Sequence, residues 1–311
     1  MTDIEHCIIC NGDSFNPMYC VPDRHYGIKG KYSISKCNNC GLVFLNPMPD
    51  EHELNSFYPK ESYYSYYVSY NKENPVKKVI STILCVRNDT KDNKLLALKT
   101  KSLGDYKPKM LDIGCGNGWF IKQQQEKGWD IYGVEPSQIA VEVGRRAGLN
   151  IHHGDLLSAN FETASFDYIR SNHSFEHIYN PDKVLQEIYR ILKPEGRLFI
   201  GVPNINSFNA MLFKQYWYYL GAPVHTYNYS NKTLTVLLEK YGFIVEKMMY
   251  NSCYMGLLGS FQIFLNRKTG KTSEQGFFVN FLPLKSIAGV FSKLLNILHA
   301  GDCIEVIAMK K

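Results

Sequence analysis

Residues 111–120 read LDIGCGNGWF, in which glycines at 114, 116 and 118 follow a short apolar segment that contains one aspartate. Glycine adopts backbone conformations that other residues avoid, and it lets a ligand approach the main chain closely. Glycine loops of this kind usually connect a strand to the helix that follows it. The stretch therefore predicts a ligand-binding loop between a strand that ends near Ile113 and a helix that begins near Trp119.

From Pro108 onward, the sequence alternates short apolar strands with helices. Strands are predicted in KMLDIG, DIYGVEPS, NIHHGDLL, SFDYIRSN, RLFIGVPN, IVEKMMY and the terminal CIEVIAMKK. Helices are predicted in WFIKQQQEKGW, QIAVEVGRRAGL, PDKVLQEIYRILKPEG and NKTLTVLLEKYGF, with Pro194 and Gly196 closing the third of them. Alternation at this spacing predicts an α/β fold, a parallel, doubly wound, Rossmann-like sheet of seven strands.

Acidic residues end the two strands that follow the predicted loop. Glu135 ends the second strand, about 20 residues after the glycines, where an acid can accept both hydroxyls of a ribose. Asp155 ends the third strand, where it can meet an adenine amino group. Ligands of open α/β sheets bind beyond the carboxyl ends of the strands. The two carboxylates therefore indicate a ligand that contains a nucleoside.

The spacing of the glycines distinguishes two kinds of nucleotide-binding loop. The dinucleotide motif G-x-G-x-x-G carries its third glycine one residue later than Gly118 stands here. The pattern D-x-G-x-G-x-G, followed by VEPS, GD, FDYIRSNHSFEHI and ILKPEGRLFIGVPN, resembles the class I S-adenosylmethionine-dependent methyltransferases. The resemblance covers residues 108–250 and the terminal strand, and it implies S-adenosylmethionine as the cofactor.

The resemblance also implies which residues contact the cofactor. Asp112 is expected to orient its ammonium end, Glu135 to hold its ribose, and Asp155 with the Leu156 amide to meet its adenine. The backbone of the glycine loop is expected to approach the methionine part, and the polar end of the fourth strand to lie along the cofactor. The remaining residues of this predicted site are Gly114, Gly116, Gly118, Ser171, Asn172 and His173.

Two CxxC pairs precede this region. Each pair lets two thiolates bind one ion, and two pairs supply the tetrahedral four-thiolate set that zinc prefers. A module this small usually needs a bound metal ion or a covalent cross-link to fold. Because four protein thiolates leave no open position for water, the predicted zinc is structural. The sequence thus predicts a zinc-ribbon-like module with the ligands Cys7, Cys10, Cys37 and Cys40.

These patterns divide the chain into three regions. Residues 1–50 are the four-cysteine zinc-binding module, 51–107 a tyrosine-rich and helical linker or lid, and 108–311 the methyltransferase domain, with insertions at about 205–229 and 251–301. The second insertion carries an apolar helical face in FFVNFLPLKSIAGVFSKLLNIL. Such a face either packs over the core or a dimer partner, or it lies in a membrane interface.

Composition and charge limit the cellular locations and the binding partners that this protein can have. The formal net charge is +6, and the excess of Lys and Arg lies in residues 72–109. A basic segment is usually a solvated helix face, and it can also meet an anionic substrate, a membrane surface or nucleic acid. The N-terminal sequence lacks the features of a secretory signal, and no apolar run reaches the roughly 20 residues of a spanning helix. We therefore expect a cytoplasmic protein, with membrane association as an alternative, and no disulfide framework among its nine cysteines.

Two segments outside the cofactor motifs indicate the class of acceptor. CxxC, a loop and CxxCGLVFLNPMP ahead of such a domain resemble the sugar methyltransferases of bacterial polysaccharide and antibiotic-sugar pathways. PVHTYNYSNKTLTVLLEKYGF resembles the substrate-side segment of the same broad group. The sugar C-methyltransferases of that group carry a further C-terminal domain, whereas the sequence here is expected to end with its seventh strand. We therefore expect O-methylation of a sugar, nucleotide sugar or glycan.

Histidines are the candidates for the catalytic base. A sugar hydroxyl is a poor nucleophile while protonated, so a base that takes its proton during transfer accelerates the reaction. Histidine titrates near pH ~6.5, which suits this role. The candidates are His173, His177 and His225, with Glu176 as a fourth, and His225 is expected in a loop over the site. Because Glu176-His177 opens a helix in many relatives, a structural role is the alternative for His177. No metal is expected at the active site.

Three other functions stay open. A quinone-type, lipid-like acceptor fits the apolar insertion, and an RNA acceptor fits the basic segment and the zinc module. Nucleic acid is disfavoured because the sequence lacks the [DN]PP[YF] motif and any RGG or aromatic RNP run. A non-catalytic module that recruits partners is disfavoured by the intact cofactor motifs. The sequence determines neither the acceptor nor the oligomeric state.

Overall fold

The four-cysteine region forms a small antiparallel sheet. The computed structural model describes residues 1–57, 106–269 and 276–311. Its N-terminal elements are β1 (Phe15–Val21), β2 (Tyr32–Cys37), β3 (Val43–Leu45) and helix α1 (Glu51–Ser56). Most of the tyrosine-rich and helical linker or lid predicted at 51–107, and most of the basic segment at 72–109, lie outside the described residues.

Seven strands build the central sheet. They are β4 (Lys109–Ile113), β5 (Asp130–Glu135), β6 (Ile151–His153), β7 (Phe166–Asn172), β8 (Leu192–Pro203), β10 (Phe243–Asn251) and β11 (Cys303–Lys310), whereas β9 (Tyr227–Asn228) belongs to the N-terminal sheet. The strand order is β10-β11-β8-β7-β4-β5-β6. All pairs from β8 to β6 are parallel, and β11 runs antiparallel to both of its neighbours. The predicted seven-stranded Rossmann-like fold is confirmed, with the terminal strand as its antiparallel exception.

Amphipathic helices connect the strands. Their bounds are α2 (Trp119–Gln125), α3 (Gln138–Arg146), α4 (Pro181–Ile191), α5 (Phe208–Phe213), α6 (Asn231–Lys240), α7 (Tyr254–Asn266) and α8 (Leu282–Ile297). Helix α4 illustrates why they form, since Val184, Leu185, Ile188 and Ile191 recur every three or four residues and are all buried. That spacing aligns apolar side chains along one face of a helix, which then packs on the core.

Helix α4 ends earlier than the sequence predicts. We predicted that it extends to Pro194–Gly196, but it ends at Ile191, and Leu192 already has extended backbone with φ −77° and ψ 134°. Proline has no backbone N–H to donate, and it disfavours helical backbone in the residue before it, so the helix does not continue. The segment instead begins β8, in which Leu192 lies opposite Phe166 of β7.

The cysteine sheet and the central sheet share a hydrophobic core. Strand β9, from the predicted insertion at 205–229, pairs with β3 and completes a four-stranded sheet. The buried side chains of Ile34 and Phe44 belong to the same cluster as Leu111 and Ile169 of the central sheet. Because this apolar core is continuous, the module and the methyltransferase region stabilise each other. The boundaries at residues 50 and 108 stay predictions.

The insertion at 251–301 is helical, as predicted. Helices α7 and α8 pack against each other around Leu258, Val279 and Ala288. The opposite face of α8 is exposed, with 67% of Ile287 and 74% of Ile297 accessible to solvent. Over the ranges that the structure describes, no helix combines the length and the apolarity needed to cross a membrane.

Candidate active site

The loop after β4 has the backbone conformation that glycine favours. The φ angle is +70° at Gly114, +56° at Gly116 and +83° at Gly118, which is the left-handed region where other residues are strained. The Gly114 N–H donates to the Val134 carbonyl at 2.8 Å, and Gly118 is the N-cap of α2. The sequence-predicted strand, glycine loop and helix are therefore present, and the loop is tied to the end of β5.

Ser174, which the sequence analysis did not single out, packs on the glycine loop. A Cβ added to Gly114 would lie 2.4 Å from the Ser174 Cβ, so the loop has no room for a side chain at this position. The Ser174 hydroxyl donates to the Ile113 carbonyl at 2.7 Å and lies 2.7 Å from the Ser171 hydroxyl. These contacts bring the end of β7, with the predicted residue Ser171, against the loop.

Glu135 fastens the loop from the end of β5. One carboxylate oxygen accepts the Gly116 N–H at 2.9 Å, and the other accepts the Ser137 N–H at 3.0 Å. The side chain is 8% exposed. Burial raises the pKa of Glu135, the two backbone N–H groups lower it in part, and the charge of Asp112 raises it further. Each carboxylate oxygen keeps a second lone pair beside its backbone hydrogen bond, and the ribose assignment of Glu135 stays a prediction.

Asp112 forms a buried ion pair with Arg170. The Arg170 Nη1 lies 2.8 Å from the Asp112 Oδ1, and the two side chains are 9% and 2% exposed. The guanidinium carbon stands 3.9 Å from the centroid of the Phe120 ring, a cation–π contact. Arg170 was not predicted from the sequence. Its signal was an arginine directly after Tyr168 and Ile169 in a predicted sheet strand, because a charge in a buried strand needs a partner.

The other predicted cofactor residues differ in their exposure. Asp155 is exposed, and its carboxylate accepts the Ser158 N–H at 2.7 Å. Leu156 is buried. Asn172 has a buried side-chain oxygen without a hydrogen-bond partner among the described residues. Such an acceptor is available to a donor of a ligand.

The segment after β7 is a single 3-10 turn, Phe175–His177. This differs from the helix start that Glu176-His177 suggests in relatives. The backbone of Ile178 is extended, and helix α4 begins only at Pro181. Proline is favoured in the first turn of a helix because its missing N–H would have no partner there. The turn directs Glu176 into the protein.

Glu176 is the buried centre of a histidine cluster. It is 1% exposed, and its Oε1 lies 3.5 Å from the His173 Nδ1 and 3.9 Å from the His177 Nε2. Burial by itself raises the pKa of Glu176, but the contact with His173 and the charges of His177 and His225 lower it to about 2. The carboxyl group is therefore ionised at neutral pH.

His225 reaches this cluster from the insertion at 205–229, just before β9, and its expected place in a loop over the site stays a prediction. Its ring meets the His177 ring edge to face, with 4.7 Å between the centroids. Burial and the charge of His177 lower the pKa of His225 to about 3. Burial also lowers the pKa of His177, although Glu176 opposes this shift. Burial thus disfavours the protonated form of both imidazoles.

Asp302 holds the insertion that carries His225. Its carboxylate accepts hydrogen bonds from the Trp217 Nε1 at 2.9 Å, the Ser207 hydroxyl at 3.0 Å and the Asn209 Nδ2 at 2.8 Å. Burial raises the pKa of Asp302, and these hydrogen bonds lower it in part. Asp302 was not predicted from the sequence, because its partners come from a distant part of the chain.

The four predicted zinc ligands lie together. Sulfur atoms are 3.5 Å apart in the pair Cys7–Cys40 and 3.6 Å apart in the pair Cys10–Cys37, and all four lie within 4.8 Å of one another. Thiolates bound tetrahedrally to one zinc at about 2.3 Å stand roughly 3.8 Å apart. The arrangement therefore fits a zinc ion, which would be held by the two cysteines of each CxxC pair.

Residues 87–247, just over half of the chain, match the family model described as a methyltransferase domain. The chain belongs to this methyltransferase family. This membership agrees with the class I methyltransferase motifs of the sequence, which imply S-adenosylmethionine as the methyl donor. The bare glycine backbone and the buried Glu135 carboxylate at the carboxyl ends of β4 and β5 fit this cofactor. The contacts assigned to individual residues stay predictions.

The methyltransferase is similar to several curated proteins. It is 30% identical over 118 residues to a ubiquinone biosynthesis O-methyltransferase of Haemophilus ducreyi, a match that covers 34% of this chain and 50% of the relative. It is 34% identical over 110 residues to phosphoethanolamine N-methyltransferase 2 of Caenorhabditis elegans, covering 32% of this chain and 25% of the relative. The chain spans about half the length of the ubiquinone-pathway relatives that it matches.

Solved structures are similar at low sequence identity. A methyltransferase from Archaeoglobus fulgidus has a TM-score of 0.46 and 18% identity, with 76% of this chain and 100% of that chain covered. The [4+2]-cyclase SpnF has a TM-score of 0.49 and 17% identity, with 85% of this chain and 97% of that chain covered.

Proposed function

We propose that this methyltransferase O-methylates a sugar or glycan intermediate of bacterial surface-polysaccharide or related sugar biosynthesis. The observation that carries the proposal is the pairing of β3 with β9, which joins the four-cysteine module to the insertion that bears His225. The same two segments, the module and the substrate-side segment, resemble the sugar methyltransferases. Their direct contact supports a common role of both at the acceptor side.

Transfer requires alignment of the acceptor hydroxyl and removal of its proton. S-adenosylmethionine supplies an electrophilic methyl group, and the protein gains rate by holding the acceptor oxygen in line with it. We assign proton removal to His173, whose side chain is 36% exposed and contacts the buried Glu176. A carboxylate beside a histidine stabilises the imidazolium that forms when the proton is taken. His177 and His225 remain the alternative bases of the same cluster.

A methyl-transfer assay tests the acceptor. The protein is incubated with radiolabelled S-adenosylmethionine and a panel of nucleotide sugars, free glycans and catechol-type lipids. We expect label in the sugar fraction and loss of transfer by more than about 100-fold in His173→Ala. Because His173 is also predicted to lie along the cofactor, S-adenosylmethionine affinity is measured on the same variant, so that lost cofactor binding is separated from lost proton removal. His52→Ala, at an exposed histidine of α1, is the matched control. Label confined to the catechol-type lipids rejects the sugar proposal.

A quinone-type, lipid-like acceptor is the second candidate. Curated relatives that match about a third of this chain are named ubiquinone biosynthesis O-methyltransferases. The exposed apolar face of α8 also suits an acceptor that stays in a membrane. The catechol-type lipids of the same panel test this function directly.

We further propose a structural zinc ion in the cysteine module, held by Cys7, Cys10, Cys37 and Cys40. The sulfur spacing supports it, and a closed four-thiolate set has no position for substrate or water. The ion would therefore fix the loops of the module and the end of β2, not take part in methyl transfer.

Helix α8 is proposed to rest on an anionic lipid surface. Its exposed apolar residues lie at a spacing of three or four along one face, with basic residues on the same helix. They are Ile287, Val290, Leu294 and Ile297, with Lys285 and Lys293. Interfacial helices combine an apolar face with lysines that meet lipid phosphates. Such contact would bring the enzyme to an acceptor on a lipid carrier.

A further inference from the structure

Glu176, His177 and His225 converge on one point. Each offers one ligand atom, a carboxylate oxygen or a ring nitrogen, and these atoms lie within 4.8 Å of one another. Two of the residues come from the 3-10 turn after β7, and the third comes from the insertion before β9. Two separate segments thus present the side chains that first-row divalent metals accept most often.

The orientation of both histidine rings is fixed by backbone carbonyls. The His177 Nδ1 lies 2.9 Å from the Val224 carbonyl, and the His225 Nδ1 lies 3.1 Å from the Tyr219 carbonyl. A carbonyl only accepts, so each Nδ1 carries the proton and each Nε2 presents a lone pair. Histidines that bind metals show this arrangement, in which the second ring nitrogen donates to a carbonyl or carboxylate.

A glycine allows the His225 ring to take this place. A Cβ added to Gly221 would lie 2.2 Å from the His225 Nδ1, and the φ angle of Gly221 is +62°. The ring therefore packs on bare backbone. A side chain at 221 would push it away from Glu176 and His177.

One carboxylate oxygen of Glu176 makes no hydrogen bond within the described part of the chain. Its Oε2 is buried and has no hydrogen-bond partner among the described residues, although the side chain is 1% exposed. A buried, charged oxygen without a partner is costly in free energy. A cation beside it removes this cost.

We propose that Glu176, His177 and His225 bind a divalent transition-metal ion such as Zn²⁺. Two histidines and one carboxylate are the ligand set of metal sites that keep open positions for substrate or water. Ligands at about 2.1 Å from one ion stand at most about 4.2 Å apart. Since the His177 Nε2 and the Glu176 Oε1 are already 3.9 Å apart, small side-chain rotations complete the site.

The site lies beside the cofactor loop, because Ser174, two residues before Glu176, packs on Gly114. An ion held by three protein ligands would leave a coordination position for an oxygen, and it would lower the pKa of a hydroxyl bound there. The inference goes beyond the expectation of a metal-free active site. It rests on the described geometry and does not depend on which acceptor is methylated.

Metal counting tests the site. The full chain is equilibrated by dialysis against buffered Zn²⁺, and its zinc content is measured by mass spectrometry for wild type, His225→Ala, His177→Ala and Glu176→Gln. We expect each variant to hold one equivalent less than wild type at saturation of the wild-type site. The matched control His52→Ala is expected to retain the wild-type content. The difference between proteins is independent of any zinc in the cysteine module, which all of them keep.

Co²⁺ provides a second readout. In protein whose cysteine module is already filled, Co²⁺ bound by nitrogen and oxygen gives visible d–d bands without a thiolate charge-transfer band, and His225→Ala is expected to lack them. Equal zinc content and equal Co²⁺ spectra in wild type and folded His225→Ala and His177→Ala overturn the proposal. If Glu176→Gln does not fold, the two histidine variants decide. Metal binding without transfer to any sugar would reject the proposed acceptor and leave the metal site in place.

Discussion

Asp112 and Arg170 lie opposite each other on the neighbouring strands β4 and β7, with 2.8 Å between the carboxylate and the guanidinium. The resemblance to methyltransferases assigns Asp112 to the ammonium end of the cofactor. The ion pair gives the same residue a role in the stability of the sheet. A substitution of Asp112 therefore affects folding as well as binding, so cofactor affinities of such variants have to be compared on folded protein.

Arg170→Met is expected to destabilise the protein by roughly 3–5 kcal/mol, because it leaves a buried carboxylate without its counter-charge. Urea unfolding measures the change. Arg146→Met is the matched control, since Arg146 is 78% exposed and its pair with Glu142 contributes little. Equal stability of Arg170→Met and wild type would show that Asp112 does not depend on the pair.

Glu135→Gln is expected to weaken S-adenosylmethionine binding by at least about tenfold, close to the free energy of one charged hydrogen bond. Glutamine keeps one acceptor, but its amide group would face the N–H of Gly116 or of Ser137. Calorimetry with S-adenosylmethionine and S-adenosylhomocysteine measures the affinity. Glu142→Gln, on the exposed side of α3, serves as the control. Unchanged affinity in Glu135→Gln contradicts the ribose assignment.

Cys37→Ser is expected to remove one zinc per chain and to lower the thermal midpoint of the whole protein. The second effect follows because Cys37, which ends β2, is fully buried in the core that the module shares with the central sheet. Mass spectrometry of the metal and a thermal melt measure the two effects. Cys20→Ser changes an exposed cysteine outside the set and is expected to alter neither. A zinc content equal to that of wild type would exclude Cys37 as a ligand.

Two negative charges on the exposed face of α8 are expected to abolish binding to anionic vesicles. The variant is Ile287→Glu with Ile297→Glu, which places two carboxylates on the proposed contact surface without touching the buried face. Co-sedimentation with vesicles of phosphatidylcholine and phosphatidylglycerol measures the binding. Val236→Glu, at an exposed apolar residue of α6, is the control. The membrane proposal fails if wild type stays in the supernatant.

The fold was predictable from local patterns, with errors where local signals compete. The residues KPEG read as the end of a helix, yet they belong to β8, which begins at Leu192 opposite Phe166 of β7. The start of the same helix at Pro181 agrees with the prediction. At KPEG, sheet pairing and packing outweigh the helical preference of a few residues.

The sequence by itself determined the strand and helix order, the glycine loop, the strand-end carboxylates and the two cysteine pairs. These features depend on periodicity and on spacing over a few residues, which are local properties of the chain. The tertiary structure decided that Arg170 neutralises Asp112, that Asp302 holds the insertion, and that His225 reaches Glu176 and His177. Such pairings depend on strand register and on packing between distant segments, because a buried charge selects its partner only when the core forms.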